Sequence, residues 1–165
     1  MSATMFGNLQ RIACRGPWLA GVLACLLAAP AHAVLGESVA SIDADQVRLS
    51  GARRSTALPQ AAVQVHSLVR ADGSAVHEYV GADGTVFAIA WHMRVKPDLR
   101  ALLGRHADAY DQAARRALAT AGVRHHALLE EGDLVVESSA HLNAFAGRAY
   151  LKSRLPSALP ADAIR

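Results

Sequence analysis

The amino-acid sequence predicts an α+β domain: an antiparallel sheet built from a three-strand meander and a second hairpin, with one helix packed on one face. Three observations predict this class. Apolar runs at 61–70, 75–81 and 85–92 are separated by Asp-Gly pairs, an apolar stripe at helical spacing follows, and two further apolar runs flank Glu131-Gly132. Asp-Gly between alternating apolar runs is the strongest short-range hairpin signal.

The first 33 residues are expected to be a secretory signal peptide rather than part of the fold. Arg11 and Arg15 supply a positive amino-terminal charge, and an uncharged apolar run of 13 residues, 17–29, follows. Residues 31–33 read Ala-His-Ala, the small-x-small pattern of signal peptidase, which predicts cleavage after Ala33. The run is too short for a stable membrane span, which needs about 20 residues.

A lipid anchor is the alternative at this end of the chain. Residues 22–25 loosely resemble a lipobox, in which Cys25 would carry the lipid. Four apolar residues follow Cys25, where a lipoprotein normally turns polar, so the unlipidated form is favoured. Loss of 33 of the 165 residues leaves 132 and removes both cysteines, Cys14 and Cys25. The mature chain then has no disulfide, thiolate nucleophile or cysteine metal ligand.

Cleavage also changes the charge of the protein. The net charge falls from +3 to +1, because two of the 17 basic residues leave with the signal and all 14 acidic residues remain. A protein that binds nucleic acid normally carries a clustered basic excess, so nucleic acid is not an expected partner. A chain of 132 residues is long enough to bury a core that folds without disulfides.

The lead-in and the carboxyl end frame the predicted domain. Residues 34–59 are expected to form a lead-in arm or short strands, and residues 60–155 the single α+β domain. Pro156 and Pro160 end regular structure, which leaves 156–165 as a tail. The candidate strand residues of the lead-in are Val39, Ile42, Val47 and Leu49.

The helix follows the meander. Pro97-Asp98 suits its first turn and Gly122 its carboxyl cap, whereas Gly104 within it predicts a kink or close packing. After the helix, 123–129 and 134–138 form the second hairpin and 145–151 the last strand. The helical apolar stripe consists of Leu99, Leu102, Leu103, Tyr110, Ala113, Ala114, Ala117 and Leu118.

The turns predict which side chains share a face of the meander. Two-residue turns at Asp72-Gly73 and Asp83-Gly84 pair His66 with Tyr79 and Glu78 with Ile89. One face is then an apolar core and the other a solvated surface. The core face carries Val63, Val65, Val69, Val76, Glu78, Val80, Phe87, Ile89 and Trp91, and the solvated face carries Gln64, His66, Arg70, His77, Tyr79 and His92.

Three histidines on that second face suggest a metal site, which the register argues against. His66 and His92 are two diagonal steps of about 7–8 Å apart, roughly 15 Å in all, too far for one zinc ion. A weak transition-metal site at His77 and His92 stays as an alternative, and no cofactor is otherwise expected. His125 and His126 point to opposite faces of a strand and do not form a two-ligand clamp.

Glu78 is the acidic residue predicted on the core face. A buried carboxylate is either paired or has a raised pKa, and a perturbed carboxylate can act as a general acid or base. We favour a structural ion pair, because no second catalytic group converges on Glu78 in the sequence. Ser138-Ser139 before His141 is not a triad, and the sequence has no Gly-x-Ser-x-Gly, His-Glu-x-x-His, Walker or dinucleotide motif.

Several blocks of the chain occur together in the order seen in a known family. They are Leu35-Gly36 with Ser38-Val39 and Asp45, Glu78-Tyr79-Val80, 86–91, 97–100, 102–104, 132–136 and 144–151. Across most of the mature chain they resemble the bacterial domain-of-unknown-function family numbered 2844. The resemblance implies an exported protein without an assigned activity, so no functional residue is carried over. The chain departs from the family pattern at His77, in place of an arginine, and at His92-Met93-Arg94, in place of a Gln-Gly-Pro-like turn.

These observations favour a non-enzymatic periplasmic or cell-surface accessory domain that binds an envelope protein or surface component. One alternative is a small periplasmic enzyme that uses Glu78 with a histidine, and another is the weak metal binder at His77 and His92. A deep pocket holding Glu78 and a histidine would favour the enzyme. A shallow sheet face or an open sheet edge would favour the binding domain.

We expect the exported protein to begin at Val34, because cleavage follows Ala33. The intact mass of the protein recovered from the periplasmic fraction tests this expectation. A lipid-modified species that begins at Cys25 would contradict it and support the anchored form.

Overall fold

The computed structural model describes residues 35–121 and 126–165. The predicted signal peptide with Cys14, Cys25 and Ala33 lies outside the described residues, as do Gly122 and His125. Within the described ranges, no helix has the length and apolar character needed to cross a membrane.

Seven strands form one antiparallel sheet, which confirms the α+β class. Their order across the sheet is β1-β2-β3-β4-β7-β6-β5, so the last strand in the chain inserts between β4 and β6. The strands are β1 (Ala52–Leu58), β2 (Val63–Val69), β3 (Ala75–Val80), β4 (Val86–Met93), β5 (His126–Glu131), β6 (Leu134–His141) and β7 (Ala144–Leu151).

Within the described residues, three α-helices accompany the sheet: α1 (Ile42–Leu49), α2 (Leu99–Leu103) and α3 (Ala107–Ala121). The Asp98 carboxylate accepts a hydrogen bond from the Ala101 amide, which caps α2 as the sequence suggests. Gly104 has a φ of 48° and separates α2 from a 3₁₀ turn that leads into α3. The single predicted helix is therefore broken at Gly104.

The lead-in is structured differently from the expected arm with short strands. Val39 begins a 3₁₀ turn, and Ile42, Val47 and Leu49 belong to α1, so the strands predicted at these residues are wrong. Val39 and Ile42 are spaced three residues apart, which lets both pack against the core on one side of a helical turn. The strand of this region is β1, which pairs with β2 along its whole length.

The register of β2 and β3 differs from the prediction by one residue. The loop holds Ala71, Asp72 and Gly73, with Arg70 and Ser74 bonded to each other across it. Only Gly73 has a positive φ there, the geometry of a three-residue hairpin loop. A shift of one residue exchanges the two faces of β2, so His66 pairs with Glu78 and enters the core.

The second Asp-Gly hairpin has the same three-residue loop, and a bulge corrects the register. Gly81 pairs with Thr85 across the loop, and the register then shifts between Tyr79 and Val80. Beyond that shift Glu78 pairs with Ile89, as predicted. Phe87 lies at the bulge and packs edge-on against Tyr79 in the second core, with ring centroids 6.4 Å apart, so its predicted place beside Val76 and Val80 is wrong.

Both faces of the sheet carry a core. The first core lies under the helices and contains Ile89, Trp91 and Leu103. The second core covers Tyr79 and Phe87 with Leu159 and Ile164 from the carboxyl segment, so the face predicted to be solvated is buried at Tyr79, and residues 156–165 contribute to a core. The Tyr79 hydroxyl bonds to the backbone N–H and C=O of Arg165, each at 3.0 Å. All buried residues of both cores lie between Leu35 and Ile164.

Gly147 joins the two halves of the sheet beneath the only tryptophan of the described residues. It pairs with Trp91 on β4 and with Ser138 on β6. A Cβ atom at Gly147 would overlap both the indole ring of Trp91 and the carbonyl oxygen of Glu137. Trp91 is 3 % exposed, so the ring has no room to move away.

We expect Gly147→Ala to lower the free energy of unfolding by about 1–3 kcal/mol, as overpacking of a filled core does. Urea denaturation of wild type and variant measures the change. Ala144→Ser is the control, because it adds one atom at an exposed site of the same strand and should change stability by less than about 0.5 kcal/mol. Equal stabilities of wild type and Gly147→Ala would contradict the packing of Trp91 on β7.

Candidate functional site

Glu78 and His66 face each other across β3 and β2 on the helix-covered side of the sheet. Glu78 is 0 % exposed and His66 is 4 % exposed. The two-residue loop predicted for the β2–β3 hairpin would place His66 on the opposite face. The loop has three residues in the structure, which brings His66 to the face of Glu78. The structure thus brings a histidine next to Glu78, as the enzymatic alternative requires, but seals both side chains from solvent.

His66 is held by a short polar chain that starts on α1. Asp43 forms an ion pair with Arg53, and Arg53 lies 3.1 Å from Nδ1 of His66. Since a guanidinium only donates, Nδ1 accepts, and the proton of the neutral imidazole is on Nε2. Nε2 has no hydrogen-bond partner among the described residues. Burial lowers the pKa of His66, and the charge of Arg53 lowers it further.

This buried group lacks the access that chemistry requires. Neither Glu78 nor His66 lines any of the three clefts described below. Glu78 and His66 form a polar group buried in the core. Burial of such a group costs desolvation free energy unless its charges are compensated.

A cleft of about 370 Å³ opens on the other face of the sheet and gathers histidines from three strands. We call it the histidine cleft. Its lining comprises His77, Ala90, Trp91, His92, His126, Glu137, Ser138, Ser139, Ala146, Gly147, Arg148, Ile164 and Arg165.

The strand registers explain the shape of the histidine cleft. His92, Ala146, Ser139 and His126 form one straight row across β4, β7, β6 and β5. Neighbouring strands are about 4.8 Å apart, so the two imidazoles stand roughly 14 Å apart on either side of two small residues. The row is therefore a trough with histidine walls and an Ala-Ser floor.

The next row closes the trough on one side. It runs from His77 through Ala90 and Arg148 to Glu137. Arg148 bonds to the Glu137 carboxylate and to the carbonyl oxygen of Ala161, both at 2.7 Å. The guanidinium thereby ties the carboxyl segment to the wall of the cleft.

His77 is fixed within this row by a neighbour on β2. Its Nδ1 lies 2.8 Å from the hydroxyl of Ser67, the residue directly opposite it. Burial lowers the pKa of His77, so the neutral imidazole is favoured. With Nδ1 engaged, Nε2 is the nitrogen left to bond a ligand in the cleft.

The structure separates His66 from the other two histidines of the three-ligand hypothesis and leaves His77 and His92 diagonal to each other, as predicted. His66 lies on the opposite side of the sheet from His77 and His92, which stand diagonally from each other on β3 and β4. Among the described residues, no three or more His, Cys, Asp or Glu side chains are grouped closely enough to hold a metal ion.

Charge distinguishes the histidine cleft from the other clefts. Arg148 and Arg165 outnumber Glu137 in its lining, and three histidines add further donors. A second cleft of about 400 Å³, between β1, β2 and the β3–β4 loop, has no ionisable side chain in its lining. A third of about 140 Å³ lies on the helix side near Lys96 and Tyr110. The histidine cleft thus offers the densest set of accessible polar groups.

Comparisons with known proteins give one match. A family model described as "Protein of unknown function (DUF2844)" matches residues 31–164. It covers most of the chain and confirms the resemblance found in the sequence. No curated protein and no solved structure matches.

The buried His66 predicts a loss of stability in mild acid. An unfolded His66, with an ordinary pKa near 6.5, takes up a proton before the folded one does, because the folded pKa is lower. The free energy of unfolding should fall as pH drops below about 6.5, down to the folded pKa, and His66→Gln should flatten this slope. Urea denaturation between pH 8 and 5 measures it, with His141→Gln, an exposed site, as the control. Parallel curves for wild type and His66→Gln would contradict the burial of this ring.

Proposed function

The chain belongs to the DUF2844 family of proteins of unknown function, and we propose that it is an exported, non-enzymatic binding domain of the cell envelope. Its binding surface is the histidine cleft. The observation that carries this proposal is the location of the polar groups: they are accessible in the cleft and sealed at Glu78.

The cleft has the composition of a ligand site. Such sites combine an apolar surface with a few placed polar groups that orient the ligand. Ala90, Ala146 and Gly147 provide a floor without large side chains, and His92 and His126 stand at its sides. Hydrogen bonds to Glu137 and Ser67 hold Arg148 and His77 in place before a ligand binds. Less side-chain conformational entropy is therefore lost on binding.

The partner we propose is an envelope protein or surface component rather than a nucleic acid. The net charge of +1 after cleavage at Ala33 argues against nucleic acid. Export is supported by the basic terminus, the apolar run 17–29 and the cleavage pattern that ends at Ala33. The outer strands β1 and β5 each pair on one side only, which also suits a domain that associates with an extended partner.

We predict that a photoreactive benzoylphenylalanine in place of Ser139 crosslinks a discrete envelope component in living cells. Ser139 is exposed on the floor of the cleft, so its substituent reaches whatever the cleft binds. The same substitution at Ala119, exposed on α3, is the control and should give no discrete product.

Ala146→Leu sharpens this test, because a larger side chain fills the trough between His92 and His126. Added to the Ser139 probe it should abolish the crosslink, whereas Ala119→Leu should leave it intact. A crosslink that persists with Ala146→Leu, or that forms equally from position 119, would overturn the cleft as the binding surface.

A further inference from the structure

Leu142 sits in a conformation and an environment that are both unfavourable for leucine. It is the first residue of the two-residue loop between β6 and β7, next to the His141–Ala144 pair. Its φ of 51° lies in the left-handed region, where glycine is favoured, and its side chain is 85 % exposed. Strained residues that persist in folded proteins often mark functional positions. Here the strain presents an apolar side chain to solvent.

A second exposed apolar residue lies beside this loop. Met93 at the end of β4 pairs with Phe145 near the start of β7, and Val95 follows two residues later with 56 % of its surface exposed. Lys96 lines a small cleft together with Phe145, which places the segment after β4 against the β6–β7 hairpin. Val95 and Leu142 therefore project from the same end of the sheet.

The charged residues at this end are cationic side chains without a close ion pair and two carboxylates that each accept a backbone amide. Arg94 and Lys96 flank Val95, and neither forms an ion pair with a described residue. The carboxylate of Asp72 instead accepts the Ser74 amide at 2.9 Å. That of Asp98 accepts the Ala101 amide at 3.1 Å, as the cap of α2.

The β2–β3 loop adds a third base to the same end. The backbone amide of Arg94 donates to the Ser74 hydroxyl at 3.1 Å, which holds that loop against the segment after β4. Arg70 stands at the base of the loop and likewise forms no ion pair among the described residues. The Asp72 carboxylate also interacts electrostatically with Arg70 and Arg94, so the three cationic side chains and the two carboxylates leave an excess of one positive charge around the apolar centre.

We infer that this end of the sheet, formed by Arg70, Arg94, Val95, Lys96, His141 and Leu142, docks on an anionic phospholipid surface. Leu142 and Val95 enter the boundary between headgroups and acyl chains, and the basic side chains bind headgroup phosphates. Apolar tips ringed by bases suit this partner, because the long stems of Lys and Arg let their charges stay at headgroup level. The inference goes beyond the ligand cleft and does not depend on it.

The test is sedimentation of the chain Val34–Arg165 with lipid vesicles. This chain contains both cores entire and lacks the apolar run 17–29, which would itself bind lipid. We expect it to sediment with phosphatidylcholine vesicles that contain about one third phosphatidylglycerol, and to bind pure phosphatidylcholine several-fold more weakly.

Leu142→Gly separates membrane binding from folding. Glycine relieves the positive φ, so the thermal midpoint should stay the same or rise, while loss of the apolar side chain should lower the partition coefficient about tenfold or more. Leu118→Ala is the matched control, because Leu118 is an exposed leucine on α3, and it should bind like wild type. Lys96→Gln should lower binding to the anionic vesicles about fivefold, and Arg115→Gln on α3 should not.

Three results would overturn the inference: no sedimentation with anionic vesicles, equal binding by Leu142→Gly and wild type, or an equal loss with Leu118→Ala. Each of them leaves the crosslinking test of the histidine cleft intact, because that test uses substitutions on the sheet face and needs no lipid. If the crosslink from position 139 fails while vesicle binding depends on Leu142, the cleft proposal is wrong and the docking surface stands. A crosslink without vesicle binding gives the reverse conclusion.

Discussion

The contact between the Trp91 ring and the backbone of β7 at Gly147 is the constraint on which the joining of the two halves of the sheet depends. On the helix side the missing Cβ lets the indole lie against β7 and fill the first core. On the other side the floor of the cleft is formed by small side chains at neighbouring positions, Ala90, Ala146 and Ser139. The pairing of β4 with β7 also joins the two sequence-local halves, β1–β4 and β5–β7, into one sheet.

The local pattern of the sequence is sufficient to predict the strands from β2 onward, but it does not predict how these strands are positioned relative to one another. Asp72-Gly73 and Asp83-Gly84 mark the two hairpins, yet each loop contains three residues. In the second hairpin the bulge at Phe87 restores the expected pairing of Glu78 with Ile89. No bulge follows the first hairpin, so the register of β2 against β3 stays shifted by one residue. Loop length and bulge position depend on how side chains pack across the sheet, which alternation of residue types does not reveal.

For the same reason, the sequence predicts only part of the candidate site. His77 and His92 were placed on the correct face, since their register with β4 was right. The partner of that pair across the sheet, His126, could not be found, because nothing local indicates that β7 inserts between β4 and β6. Apolar residues at 159 and 164, spaced among prolines and polar residues, likewise give no periodic signal, although they complete the second core. Long-range pairing decides these features.

The carboxyl segment has a consequence for the order in which the protein acquires its structure. Ile164 is buried against Tyr79 and Phe87, and Tyr79 holds the backbone of Arg165. During synthesis, the residues up to β7 leave the ribosome before this segment does. Until Ile164 is free to dock, the sheet exposes an aromatic surface and the histidine cleft lacks one wall. The protein therefore passes through a stage with an exposed aromatic surface that chaperones would recognise, and closure of that surface is a late step of its folding.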